Sequence, residues 1–147
     1  MEVILDASVL ADIFIKSRPR HKTGCLLSDY IKREKTLVTV PYHAILEVKC
    51  AIDNERLNPN RGEVSKVFTE ESPLNLNAIP IDKNFLQKYF ILNMPYIKTN
   101  DLIYILIAKK RKCPLITEDK TQAKIAKSVN VAVYTMKDFL DRLLDFK

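Results

Sequence analysis

Residues 1–10 read MEVILDASVL. Glu2 to Leu5 is a short, mostly apolar run that drives straight into an acid, Asp6. The small pair Ala7 and Ser8 follows, and the chain turns apolar again at Val9. A run of this kind reads as a strand buried on both faces, with a helix from about Val9. An acid at the mouth of a buried strand loses solvation, and it needs a cation or several donors to stay ionised. The use of Asp6 is the question that the remaining sequence has to answer.

The same alternation continues along the chain. TLVTV (36–40), closed by Pro41, LNAIPI (76–81), PLIT (114–117) and VAVYT (131–135) read as further strands. Between and after them, TGCLLSDYIKRE (23–34), YHAILEVKCAI (42–52), KNFLQKYFIL (83–92), DLIYILIAKKRK (101–112), KTQAKIAKSV (120–129) and MKDFLDRLLDF (136–146) carry helical patterning. Strands alternating with helices predict a parallel sheet covered on both faces, with strands apolar throughout. RLNPNRGEVSKVFTEESP (56–73) reads either as a loop or as a short helix from about Gly62 to Glu71. The 147 residues show no repeat, low-complexity tract or Gly/Ser linker, so a single domain over 1–147 is expected.

Composition narrows the function classes. Hydrophobic residues make up 47% and charged residues 29%, as in an ordinary globular protein. The longest apolar run, LIYILIA (102–108), is too short to cross a bilayer, and no export signal is visible at the N-terminus. A cytoplasmic protein with no membrane partner is expected. Cys25, Cys50 and Cys113 form no C-x-x-C pair and read as buried free thiols. His21 and His43 make no zinc-ligand spacing with them. The net charge of +6 favours a polyanionic partner.

In an open α/β sheet, ligands bind outside the carboxyl ends of the strands. Asp6 ends the first strand, and Asp119 follows the fourth. Asp101 begins a helix, and Glu47 lies within the helix after the second strand. Capping is the alternative role for Asp101 and Asp119, although Thr99 and Asn100 are rival caps at Asp101. Glu47 has apolar neighbours in Ile45, Leu46 and Val48, which places it on a partly buried surface. It cannot pair with Lys49, because residues two apart do not face each other on a helix. Four converging carboxylates would repel one another unless divalent cations neutralised them. Oxygen ligands without histidine or thiolate suit Mg²⁺ or Mn²⁺.

Other α/β chemistries fit less well. The only glycines, Gly24 and Gly62, lie in no phosphate-binding loop or dinucleotide fingerprint. A haloacid-dehalogenase phosphatase needs a second acid where Ser8 stands. Asp82, in IPIDK, keeps a response-regulator receiver open as a weak alternative.

VILDASVL, PYHAILEV, TNDLIYILIA and LITED, in this order over essentially the whole chain, resemble the PIN-domain ribonucleases, and the chain is similar to the VapC-type toxins of prokaryotic toxin–antitoxin pairs. The resemblance implies a three-layer α/β/α sandwich whose five-stranded parallel sheet has the order 3-2-1-4-5. It implies that Asp6, Glu47, Asp101 and Asp119 are the catalytic acids. Asp6, Asp101 and Asp119 would hold Mg²⁺ or Mn²⁺, with Ser8 and Thr117 in support. Two departures stand out: EDKTQA offers no further acid unless Glu118 substitutes, and bulky Leu102 and Tyr104 occupy positions where small residues are common.

The implied chemistry is metal-assisted hydrolysis of RNA, leaving a 5′-phosphate and a 3′-hydroxyl, with Glu47 holding a water or taking its proton. Arg18, Arg20 and Lys22 in KSRPRHK are the preferred phosphate contacts. KKRK (109–112) reads as favourable charge at a helix C-terminus, and His43 as a surface residue near a helix start. A homodimer and a cognate antitoxin are implied partners. The rivals are a housekeeping PIN nuclease in RNA processing and an inactive PIN-like scaffold that binds RNA or protein. Retention of all four acids speaks against the scaffold.

Overall fold

The structure, a computed structural model, describes residues 1–56, 74–91 and 93–144. The strands are β1 (Glu2–Leu5), β2 (Leu37–Pro41), β3 (Leu76–Ile79), β4 (Leu115–Ile116) and β5 (Val133–Tyr134). The helices are α1 (Ala7–Phe14), α2 (His21–Arg33), α3 (Tyr42–Arg56), α4 (Lys83–Tyr89), α5 (Thr99–Arg111), α6 (Lys120–Ser128) and α7 (Met136–Leu144). Most of the segment left open as loop or short helix, 57–73, lies outside the described residues.

All the strand pairings are parallel, and the sheet order is β3-β2-β1-β4-β5, as the sequence resemblance implied. β1 is therefore central. Ile4 and Leu5 pair with Leu115 and Ile116 on one side, while Glu2, Val3 and Ile4 pair with Leu37, Val38 and Thr39 on the other. Helices cover both faces, so Val3, Ile4, Leu5, Leu115 and Ile116 are fully buried, which is what their apolar runs require. Apolarity relaxes at the edges. Asn77 and Ala78 in β3, and both residues of β5, are only half-buried.

The chain moves from β1 to one side of the sheet and later returns to β4 on the other. The switch in strand order thus falls between β1 and β4, and it opens a crevice at their carboxyl ends. A receiver domain has the order 2-1-3-4-5 instead. Asp82 here is the N-cap of α4, accepting from the Phe85 amide at 2.9 Å. The receiver alternative therefore falls.

Several element ends differ from the sequence expectation. α1 begins at Ala7, directly after Asp6. α5 begins at Thr99 with Lys98 at its N-cap position and no side-chain cap, so Asp101 sits inside the first turn. α4 stops at Tyr89, because Phe90 leaves helical geometry at ψ 135°. Lys109, Lys110 and Arg111 do occupy the last turn of α5, next to Lys112 in a left-handed conformation at φ 54°, where their charge complements the helix dipole.

Two packing details matter below. α2 crosses α1 so closely that a Cβ on Gly24 would stand 2.8 Å from the Asp12 carbonyl; only glycine fits there. At the amino end of β1, Glu2 accepts hydrogen bonds from Thr39 Oγ1 at 2.5 Å and Arg111 Nε at 2.6 Å. Burial alone would raise the Glu2 carboxyl, but these two donors hold it below its ordinary range.

The cysteines are free, but they are not uniformly buried. Cys113 is buried, with its thiol pushed up to about 11 chiefly by burial. Cys25 is half-buried and Cys50 is exposed on α3. The apolar neighbours of Cys50 in sequence lie on other faces of that helix.

Candidate active site

The turn from β1 into α1 sets Asp6 at the switch point. Its Oδ2 accepts from Ser8 Oγ at 2.6 Å and from Thr117 Oγ1 at 3.2 Å. Thr117 follows β4 and in turn accepts from the Asp119 amide at 3.0 Å. One hydroxyl thereby ties the ends of both central strands together. Asp6 is only 9% exposed. Burial raises its carboxyl above the ordinary range, and the nearby Asp119 charge adds to this. The hydrogen bonds from Ser8 and Thr117 and that of the Ala7 amide offset only part of the shift.

Asp101 projects from the first turn of α5. Its carboxyl is raised by burial, then by the charges of Asp119 and Asp6, with Lys98 opposing. Glu47 stands on α3 and accepts from Asn100 Nδ2 at 3.1 Å, a bridge between α3 and α5. Burial of part of its surface raises it, and the Asp6 and Asp101 charges add, against His43 and the Asn100 hydrogen bond. The residue is more exposed than its sequence neighbours suggest. Asp119 is the N-cap of α6, where Oδ1 accepts from the Gln122 amide at 2.8 Å. Capping and membership of the acidic group are both true of Asp119, since only one of its oxygens is used by the cap.

The structure thus brings Asp6, Glu47, Asp101 and Asp119 into one electrostatic group at the carboxyl ends of β1 and β4. Among the described residues, no group of three or more His, Cys, Asp or Glu side chains is preformed as a coordination sphere. The donors are nonetheless hard oxygens, mutually repelling and partly desolvated. Such a set fits a cation that keeps much of its own hydration, as Mg²⁺ does with one or two carboxylates.

Other residues singled out in the sequence have different surroundings. Arg18 is hydrogen-bonded to Asp12, a fully buried acid of α1. Arg20 lies 3.9 Å from Asp12 and 3.2 Å from Glu118. Both arginines therefore brace the α1–α2 turn while keeping part of their surface exposed, and Lys22 is exposed on α2. Glu118 is not a substitute acid. Its Oε1 accepts from the Met136 amide at 3.0 Å, and its Oε2 faces Arg20. His43 is not a plain surface residue: its Nε2 is buried without a partner, and its ring packs edge-on against Tyr104.

Two further neighbours of the acids have no site role in the sequence reading, in which Tyr104 stands out only for its bulk. Gln122 is fully buried; it donates to the Asp101 carbonyl at 3.3 Å and leaves its own Oε1 without a partner. Tyr104 is buried with its hydroxyl likewise unpartnered. A signal for both existed, since each stands three residues after a site acid and so on the same helical face.

A doubly wound parallel sheet whose switch point gathers carboxylates defines the class: an α/β protein with an acidic crevice at its strand ends. Within that class the chain belongs to the PIN domain family, whose family model matches residues 3–128. PIN domains are nucleases, which assigns the chain to hydrolysis of nucleic acids. Among solved structures it is similar to VapBC2 from Rickettsia felis, bound there to a DNA fragment from the promoter. That match has a TM-score of 0.58 at 12% identity, covering 92% of this chain and 98% of the other. It is also similar to FitAcB from Neisseria gonorrhoeae, with a TM-score of 0.54, 17% identity and 92% and 98% coverage. A PilT N-terminus domain protein from Sulfolobus solfataricus matches with a TM-score of 0.50, 14% identity and 97% and 92% coverage. At these identities the likeness is one of fold. No curated protein matches the sequence significantly.

Proposed function

We propose that the protein is a metal-dependent endoribonuclease, the toxin of a VapBC-type pair. The observation that carries this is the group of four acids, three of them raised by burial and by one another's charge. Such a group is relieved by a divalent cation, and a cation there can also screen a phosphodiester for attack by water. Asp6, Asp101 and Asp119 would hold Mg²⁺ or Mn²⁺, and the ion when bound would lower the pKa of a water and screen the phosphate charge.

The chain's own residues do the remainder. Ser8 and Thr117 fix the rotamer of Asp6 through one oxygen. Asn100 fixes Glu47 through Oε1, leaving Oε2 to accept the proton of an attacking water. Gln122 and the α6 cap hold Asp119 beside Asp101. The exposed flanks of Arg18 and Arg20, with Lys22, offer positive charge to the RNA backbone.

The two neighbours named for Vap and Fit proteins support an antitoxin as partner, since this fold recurs in them over nearly the full chain. A homodimer and a cytoplasmic location complete the reading.

The test is RNA cleavage by the purified protein with Mn²⁺ or Mg²⁺, alongside EDTA and Asp6→Asn. Cleavage lost in both controls is the expected result. Equal cleavage by wild type and variant would sink the assignment.

A further inference from the structure

A buried polar atom left without a hydrogen-bond partner costs about 1–3 kcal/mol, and native folds keep few of them without a use. Two of those among the described residues belong to one contact beside the carboxylates: the hydroxyl of Tyr104 and Nε2 of His43. Tyr104 is 1% exposed and lies one turn after Asp101 on α5. Its hydroxyl lies by the Ala7 amide, in the field of Asp6, Glu47 and Asp101. His43 lies one turn before Glu47 on α3, and the two rings meet edge-on with centroids 5.5 Å apart. The His43–Tyr104 contact is thus a second rung between α3 and α5, next to the Asn100–Glu47 rung at 3.1 Å.

The chemistry of this corner is directional. Burial, and then the surrounding negative charge, hold the phenol far above its ordinary range, so it keeps its proton and acts as a donor. Phenylalanine would pack the same ring against His43 without the unpartnered hydroxyl. A donor opposite several acceptors, with a second polar atom at its side, is a site for a water with two to four partners.

We infer that Tyr104 is a positioning residue of the active site: its hydroxyl donates to a water held between the phenol, His43 and the carboxylates, and so fixes Asp6 and the hydration shell that a divalent cation shares. The inference rests on the nuclease reading above and adds a residue to it.

The experiment compares wild type with Tyr104→Phe. It measures Mn²⁺ affinity by titration calorimetry, the metal-free melting temperature, and kcat and KM on RNA. The variant is expected to bind Mn²⁺ about 10-fold more weakly, the scale of losing a partner of a metal ligand. It should lose kcat with KM little changed, and melt close to wild type, because the ring and its packing against His43 are kept. Unchanged Mn²⁺ affinity and kcat overturn the inference, as does a lower melting temperature with unchanged affinity, which would make Tyr104 a packing residue. His43→Phe keeps an aromatic edge and removes Nε2. It too should weaken Mn²⁺ binding, and no change there overturns the shared water. Wild type that binds no Mn²⁺ removes the nuclease reading and this inference with it. Wild type that binds while Tyr104→Phe matches it removes the inference alone.

Discussion

Glu2 and Asp6 stand at opposite ends of the central strand and live in opposite electrostatic surroundings. Glu2 has a dedicated cation, Arg111, and a hydroxyl donor, Thr39, which hold its carboxyl low. Asp6 has hydroxyl donors too, from Ser8 and Thr117, yet its neighbours in charge are acids, and its carboxyl is raised. Asp12, fully buried on α1, likewise has cationic partners, Arg18 and Arg20. Among the described residues, the structural acids Glu2 and Asp12 have arginine partners, whereas the acids at the switch point form no ion pair and have only Lys98, near Asp101, and His43, near Glu47, to oppose their charge. In a chain of net charge +6, that omission sets the Asp6 end apart as a place for an external cation.

The largest test of the contrast is to neutralise each end. Asp6→Asn should reduce RNA cleavage by at least about 100-fold, while the metal-free protein melts no lower than wild type, because a repelling charge has gone. Glu2→Gln should do the reverse, keeping cleavage and lowering the melting temperature. Cleavage rates and melting curves for the two variants check this, and matching behaviour would erase the distinction.

Added Mn²⁺ comes next in size. At about 100 times its dissociation constant, a bound ion stabilises the fold by about 2.7 kcal/mol. Thermal melts of wild type should show that gain, and melts of Asp6→Asn should lose most of it.

Removing a cation from the other end is smaller. Arg111→Met leaves Glu2 half-buried with Thr39 alone, for an expected loss of about 1–2 kcal/mol in denaturant unfolding. Asp119→Ala removes the α6 cap and should cost about 1 kcal/mol. Asp119→Asn retains a capping side chain and should spare stability while still impairing cleavage.

The pH dependence separates the two ends with opposite signs. Asp6, Glu47 and Asp101 have raised folded values, so the folded state binds more protons than the unfolded state in that window. Their contribution is fully present below the ordinary carboxylate values and is lost as pH rises through the folded ones. Glu2 is depressed, so its contribution is present above its ordinary value and is lost as pH falls through the folded one. Metal-free melts of Asp101→Asn and Glu2→Gln across mildly acidic pH should show these slopes removed one at a time.

Much of this was legible in the sequence because it is local. β1 and β4 declared themselves as apolar runs with an acid close behind, and burial on both faces leaves little else such a run can be. Sheet order is not legible in any strand; it followed only from the resemblance to the PIN family. What stayed hidden depends on partners distant in sequence. Arg20 looked free in KSRPRHK, but it meets Glu118 nearly a hundred residues later. Glu118, beside a site acid, turns instead to the start of α7. Tyr104 reads as a bulky packing residue until His43 and Ala7 are seen around its hydroxyl. Cys50 shows the converse error, in which apolar neighbours in sequence stood in for neighbours in space.

The insertion of β4 beside β1 also has a consequence in time. During synthesis β1 and β2 emerge early, but Asp101, Thr117 and Asp119 are still unmade. At about 5–20 residues per second, several seconds separate the appearance of Asp6 from that of its last companion. A nascent chain on the ribosome therefore holds only Asp6 and Glu47 of the four acids, and the group is complete only when the carboxyl-terminal third has been translated and docked.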